Sequence, residues 1–111
     1  MHANTPVDER LLDELVARIV AEVQPRRIVL FGSAARGQLG PHSDLDVLVV
    51  MPDGVHRRQT AMGLYRTLAG LGVAKDLVVV TESDVRLYGD NPSLVLYPAL
   101  REGRELYRAE G

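Results

Sequence analysis

The 111-residue chain has no cysteine and no tryptophan. Without thiols there is no disulfide scaffold, no cysteine-ligated zinc or iron–sulfur centre and no thiol nucleophile. That absence fits a reducing compartment such as the cytoplasm. No apolar run approaches the roughly 18 residues of a membrane span, and the opening MHANTPVDER lacks the apolar core of a signal peptide. Strong net charge is missing too. At −2 near neutral pH, the chain has no cationic excess with which to grip long nucleic acid by its phosphates. Lysine is nearly absent, one against twelve arginines, a bias that a GC-rich genome would produce.

What is present is ordinary for a globular protein: 46% hydrophobic and 25% charged residues. The chain is shorter than an average domain of about 150 residues, yet long enough to bury roughly two-thirds of its unfolded surface. No repeat or low-complexity stretch divides it, so residues 1–111 read as one domain.

Thr5, Pro6 and Asp8 resemble a helix start, with Thr5 as cap. Leu11, Leu12, Leu15, Val16, Ile19, Val20 and Val23 then recur at helical spacing until Pro25. Arg27 to Phe31 (RIVLF) reads as a buried strand. Gly32 to His42 holds three glycines and a proline, and reads as loop with one helical turn over Ser33 to Arg36. Asp44 to Met51 is a second strand. A second helix is expected over Val55 to Ala69, burying Ala61, Met62, Leu64, Tyr65, Leu68 and Ala69. Asp76 to Thr81 is a third strand, and Thr81 with Asp84 caps a short helix. Asn91-Pro92 opens a further helix that Gly103 ends, with a kink expected at Pro98. Arg104 to Arg108 reads as an edge strand. The pattern is α/β (α+β), a mixed sheet covered by helices on at least one side.

Three acids could carry chemistry. Asp44 and Asp46 are two apart on a strand and share a face among Leu48 and Val50. Like charges this close raise each other's pKa or need a cation between them. Oxygen-only ligands favour magnesium first and manganese second. If strands two and three pair, Asp76 joins them, and three carboxylates meet at one sheet edge, a ligand set for two metals about 4 Å apart. Simpler readings exist: Asp44 as a turn cap, Asp46 solvated at an edge, Asp76 as a strand start beside Lys75. Gly32-Ser33 follows the first strand, where glycine admits a phosphate near the backbone and amides can face an anion; a plain strand exit would look the same. His2, His42 and His56 form no ligand set. His56-Arg57-Arg58 places positive charge at a helix N-terminus against the macrodipole, so either the helix starts later or these side chains meet an anion. Tyr65, Tyr88, Tyr97 and Tyr107 read as core rather than as base-stacking platforms.

Taken together, strand, Gly-Ser, ten intervening residues, Asp-x-Asp and a lone aspartate opening another strand form a specific constellation. The stretches RIVLFGSAARG, HSDLDVLVV, KDLVVVT and PSLVLYPALREGRELY resemble the minimal nucleotidyltransferase group of the DNA polymerase beta-like nucleotidyltransferase superfamily. The resemblance implies the polymerase beta-like fold, Gly32 and Ser33 holding a nucleotide triphosphate, and Arg36 neutralising phosphate charge. It implies two magnesium ions on Asp44, Asp46 and Asp76, with Asp76 also helping to deprotonate the acceptor, while Ser43 positions the loop. It implies an enzyme that transfers AMP from ATP to a helical HEPN-type toxin, the chain acting as antitoxin. Two alternatives stand: a non-catalytic antitoxin that only binds its partner, and the catalytic subunit of an antibiotic nucleotidyltransferase. The short chain leaves no room for an acceptor-binding domain, and its charge argues against free nucleic acid as acceptor.

Overall fold

The computed structural model describes residues 8–36 and 44–110. Thr5, Pro6, Ser43 and His42 lie outside the described residues.

The first helix, α1, runs Glu9–Val23 and turns Leu12, Leu15 and Ile19 fully inward. Its N-cap is Asp8, whose carboxylate accepts from the Arg10 amide. The helix therefore begins later than Pro6, because an aspartate satisfies the orphan amides of the first turn. Gln24 ends it in the left-handed region, its amide donating to the Val20 carbonyl. The strands are β1 (Arg27–Phe31), β2 (Leu45–Met51), β3 (Lys75–Thr81) and β4 (Arg104–Arg108). They form one mixed sheet in the order β3-β2-β1-β4. β1 lies antiparallel to β2 and β4, while β2 and β3 run parallel.

A parallel pair needs a crossover. Here it is α2 (Arg57–Thr67). The helix starts at Arg57 rather than Val55, because the His56 side chain caps it by accepting from the Gln59 amide. Only Leu64 and, just beyond the helix, Leu68 are fully buried; Met62, Tyr65 and Ala69 are exposed, and Ala61 is half-buried. The expected apolar face was thus too wide. Tyr65 keeps its ring partly in solvent and uses its hydroxyl to accept from the Leu77 amide on edge strand β3. Tyr88 is also exposed, whereas Tyr97 and Tyr107 are half-buried.

Thr81 begins α3 (Glu82–Tyr88) with a complete capping box: its hydroxyl accepts from the Asp84 amide and the Asp84 carboxylate accepts from the Thr81 amide. The last helix, α4, spans Leu96–Glu102. It begins after Asn91-Pro92, because the Asn91 side chain accepts from the Ser93 amide and holds a turn there. Pro98 consequently falls in the first helical turn, where a missing N–H leaves no bond unmade. The expected kink has no cause.

Helices cover both faces. Leu12, Leu15 and Ile19 of α1 and Leu64 of α2 pack with Ile28, Leu30, Val47 and Val49. On the other face Leu96 and Ala99 of α4 pack with Val29, Leu48 and Val50. Arg104 makes a bidentate contact to Glu9 at 2.8 and 2.7 Å, tying edge strand β4 to the start of α1. Among the described residues no helix is long and apolar enough to cross a membrane.

Candidate active site

Strand alternation places Leu45, Val47 and Val49 in the core under α1 and α2, and Leu48 and Val50 in the core under α4. Asp46 therefore belongs to the second face, two residues before Leu48. The register aligns Asp46 with Asp76 across the parallel β2–β3 pair. On its other side Asp46 is aligned with Phe31, the residue before Gly32. Asp44 precedes the first residue of β2. The two sequence motifs, far apart along the chain, thus arrive at one end of the sheet.

Asp46 is half-buried, Asp44 likewise, and Asp76 exposed. Burial pushes the Asp46 carboxyl above its ordinary pKa, and the negative charges of Asp76 and then Asp44 push it the same way. Ionised Asp46 is therefore held against its preference, the condition that a cation relieves. The donor set is all carboxylate oxygen, which suits a hard divalent ion. Among the described residues no three acidic, histidine or cysteine side chains close on a single point. The trio is in electrostatic reach of Asp46, but it stands open.

Gly32 fixes the other wall. Its φ of +72° lies in the left-handed region, where residues with a Cβ are strained. A Cβ built on Gly32 would overlap the Asp46 carboxylate. Glycine is needed there both for the turn and for the closeness of backbone to acid. It opens a single 3₁₀ turn, Gly32–Arg36, as the sequence suggested. Ser33 is the second residue of that turn and the exposed Arg36 its last. A cleft of about 180 Å³ lies beside it, lined by Phe31, Gly32, Arg36, Pro98 and Glu102. The contributions of Pro98 and Glu102 were not legible in the sequence, since only the packing of α4 on β1 brings them to the turn. Arg36 favours an anion in the cleft, and Glu102 opposes one.

Arg57 is not poised for an acidic partner. It donates to Asp84 on α3, and this bond, ahead of the Thr81 amide, lowers the Asp84 pKa. Of the two open options for the basic run, the second is met: Arg57 and Arg58 do occupy the first helical turn, and Arg57 finds its anion within the chain.

Asp46 on β2, Asp44 just ahead of that strand rather than on it, Asp76 on the neighbouring parallel strand and a glycine turn against Asp46 are thus gathered at one end of the sheet. The model of the nucleotidyltransferase domain family matches residues 12–102, and the chain belongs to that family. A segment of 59 residues is 41% identical to the bifunctional uridylyltransferase/uridylyl-removing enzyme of Burkholderia thailandensis. That match spans 53% of this chain but only 6% of the enzyme's length. A Sulfolobus solfataricus structure carrying a provisional nucleotidyltransferase assignment superposes with a TM-score of 0.59 at 20% identity, covering 89% of this chain and 78% of the other. Two mutants of the toxin–antitoxin MntA–HpeT also superpose at 0.59. One, with two aspartates changed to glutamate, is 18% identical and covers 94% of this chain and 76% of that one. The other, a tyrosine-to-alanine mutant, is 20% identical, covering 94% and 75%. These structures share the fold.

Proposed function

We propose that the protein transfers AMP from ATP to a hydroxyl of a partner protein, as an antitoxin-type adenylyltransferase acting on a HEPN-type helical toxin. The observation that carries the reading is the alignment of Asp46 with Asp76 across β2 and β3, with Asp46 held above its ordinary pKa by its acidic neighbours. An acid cluster that disfavours its own ionisation serves a fold poorly and a cation well.

Asp44, Asp46 and Asp76 would hold two magnesium ions, which would supply charge neutralisation at the phosphates and at the attacking oxygen. Gly32 leaves its backbone free of a Cβ, so a phosphate can approach the turn, with Ser33 beside it. Arg36 adds positive charge at the turn's end. Asp76, exposed at the start of β3, accepts the proton of the acceptor hydroxyl. The acceptor oxygen bonds to the α-phosphorus, the bond from that phosphorus to the bridging oxygen breaks, and pyrophosphate leaves.

The partner reading draws on the fold shared with MntA–HpeT. The test is intact-mass spectrometry of the chain mixed with a candidate HEPN-type helical protein. Addition of ATP and magnesium should increase the partner's mass by one or more AMP groups, and an Asp46→Asn variant should give none. A partner that binds but gains no mass from the wild type overturns the reading in favour of a purely binding antitoxin.

A further inference from the structure

A cavity of about 400 Å³ opens at the opposite end of the sheet from the three aspartates. Val50 lines it, four residues beyond Asp46 on β2, or about 13 Å at some 3.3 Å per strand residue. Four guanidinium groups also line it, those of Arg26, Arg27, Arg86 and Arg108. They come from the entry to β1, from α3 and from the end of β4. Arg27 and Arg108 are direct partners across the antiparallel β1–β4 pair. Like charges so placed repel, and here the repulsion is moderated by Glu105, which accepts from both at 3.0 and 2.7 Å.

The other two arginines are ion-paired as well. Arg26 meets Glu82 at 3.5 Å, and Arg86 meets Asp53 at 3.4 Å and the Ser83 hydroxyl at 2.8 Å. Arg27 and Arg108 thus share one carboxylate in a largely exposed setting, where ion pairs hold weakly and exchange partners readily. A phosphate dianion offers the planar fork of arginine more charge and more acceptors than a shared carboxylate does. The remaining lining is Glu82, paired with Arg26, and an apolar wall of Val50, Val85 and Ala109. The volume lies within the range of small-molecule sites.

We infer that this cavity is a second anion site, separate from the aspartate end, which takes a phosphomonoester of nucleotide size: the arginines hold the phosphoryl group and the apolar wall its organic part. The site does not depend on the transfer reaction, so it is tested with the aspartate end silenced. Calorimetry would titrate AMP, adenosine and inorganic phosphate into the Asp44→Asn, Asp46→Asn protein in EDTA at fixed ionic strength. AMP should bind at one site per chain, phosphate more weakly and adenosine not at all. Adding Arg86→Ala or Arg108→Ala, with folding checked by thermal melting, should weaken AMP at least tenfold, whereas Arg58→Ala should change nothing. Absence of AMP binding overturns the inference. So does adenosine binding as tightly as AMP, unchanged affinity in both arginine variants, or equal binding of AMP, phosphate and sulfate, which marks an adventitious ion only.

Discussion

Asp46 and Asp76 are register partners on two parallel strands, and the closeness of their charges raises the Asp46 pKa beyond what burial alone does. Only the parallel orientation brings the start of β3 beside the start of β2. An antiparallel pairing would have sent Asp76 to the far end, among the arginines.

Asp46→Asn should stabilise the protein at neutral pH without divalent ions. A carboxyl whose folded pKa is raised binds its proton more tightly when folded, so ionising it costs stability as pH rises through the folded value. The melting-temperature gain should therefore shrink towards zero in acid, where wild-type Asp46 is protonated in both states. Magnesium should raise the wild-type melting temperature and leave the Asp44→Asn, Asp46→Asn protein unmoved. Nucleotidyl transfer should be lost. A large fall in the melting temperature of Asp46→Asn would refute this account.

Gly32→Ala should destabilise by about 1–2 kcal/mol from its left-handed backbone alone, with a further penalty from overlap with Asp46. Urea denaturation measures it. Gly54→Ala, also at positive φ but with nothing within 4 Å, should show the backbone part only. Equal losses at the two sites would remove the close approach to Asp46 from the argument.

Thr81→Ala should cost about 1 kcal/mol, the worth of a helix N-cap. Thr81→Ser should recover most of it by restoring the hydroxyl. Transfer activity should survive both, since Thr81 lies at the far end of β3 from Asp76. Equal destabilisation by Ala and Ser would mean that packing of the Thr81 methyl matters more than its cap.

Acid should destabilise the protein overall. Hydrogen bonding to arginine holds Glu9, Asp84 and Glu105 below their ordinary pKa values, and Asp53 is lowered chiefly by Ser83. Groups with lowered folded pKa values contribute stability above their unfolded values and lose it as pH falls through the folded ones. Four such carboxylates oppose the single raised one, so melting temperature should fall below about pH 4. Arg104→Ala should flatten part of that fall by removing the Glu9 partner.

The strands were legible because their apolar runs are short and bounded by Pro, Gly or Asp, and the glycine turn and the Asp alignment followed from them. The polar ends of helices were less so. Asp8 and His56 take capping roles that neighbouring residues could have filled, and those choices moved two helix starts by two or three residues. Tyr65 sat at a core-like spacing, yet its hydroxyl serves an edge-strand amide, a use that periodicity does not report. Glu102 reaches the Gly32 cleft only through tertiary packing. The arginine cavity draws on four separate segments, so no local pattern announces it.

The crossover between β2 and β3 also governs when the acids meet. Residue 45 is hydrogen-bonded towards the segment at residue 75, so no local hairpin can nucleate that pairing. The chain must first close a long loop, losing entropy before any contact repays it. During synthesis, β1 and β2 can zip together as an antiparallel pair while β3 is still inside the ribosome. A nascent chain at that stage has Asp46 but not Asp76, and the acid pair is assembled only once the third strand has emerged and docked.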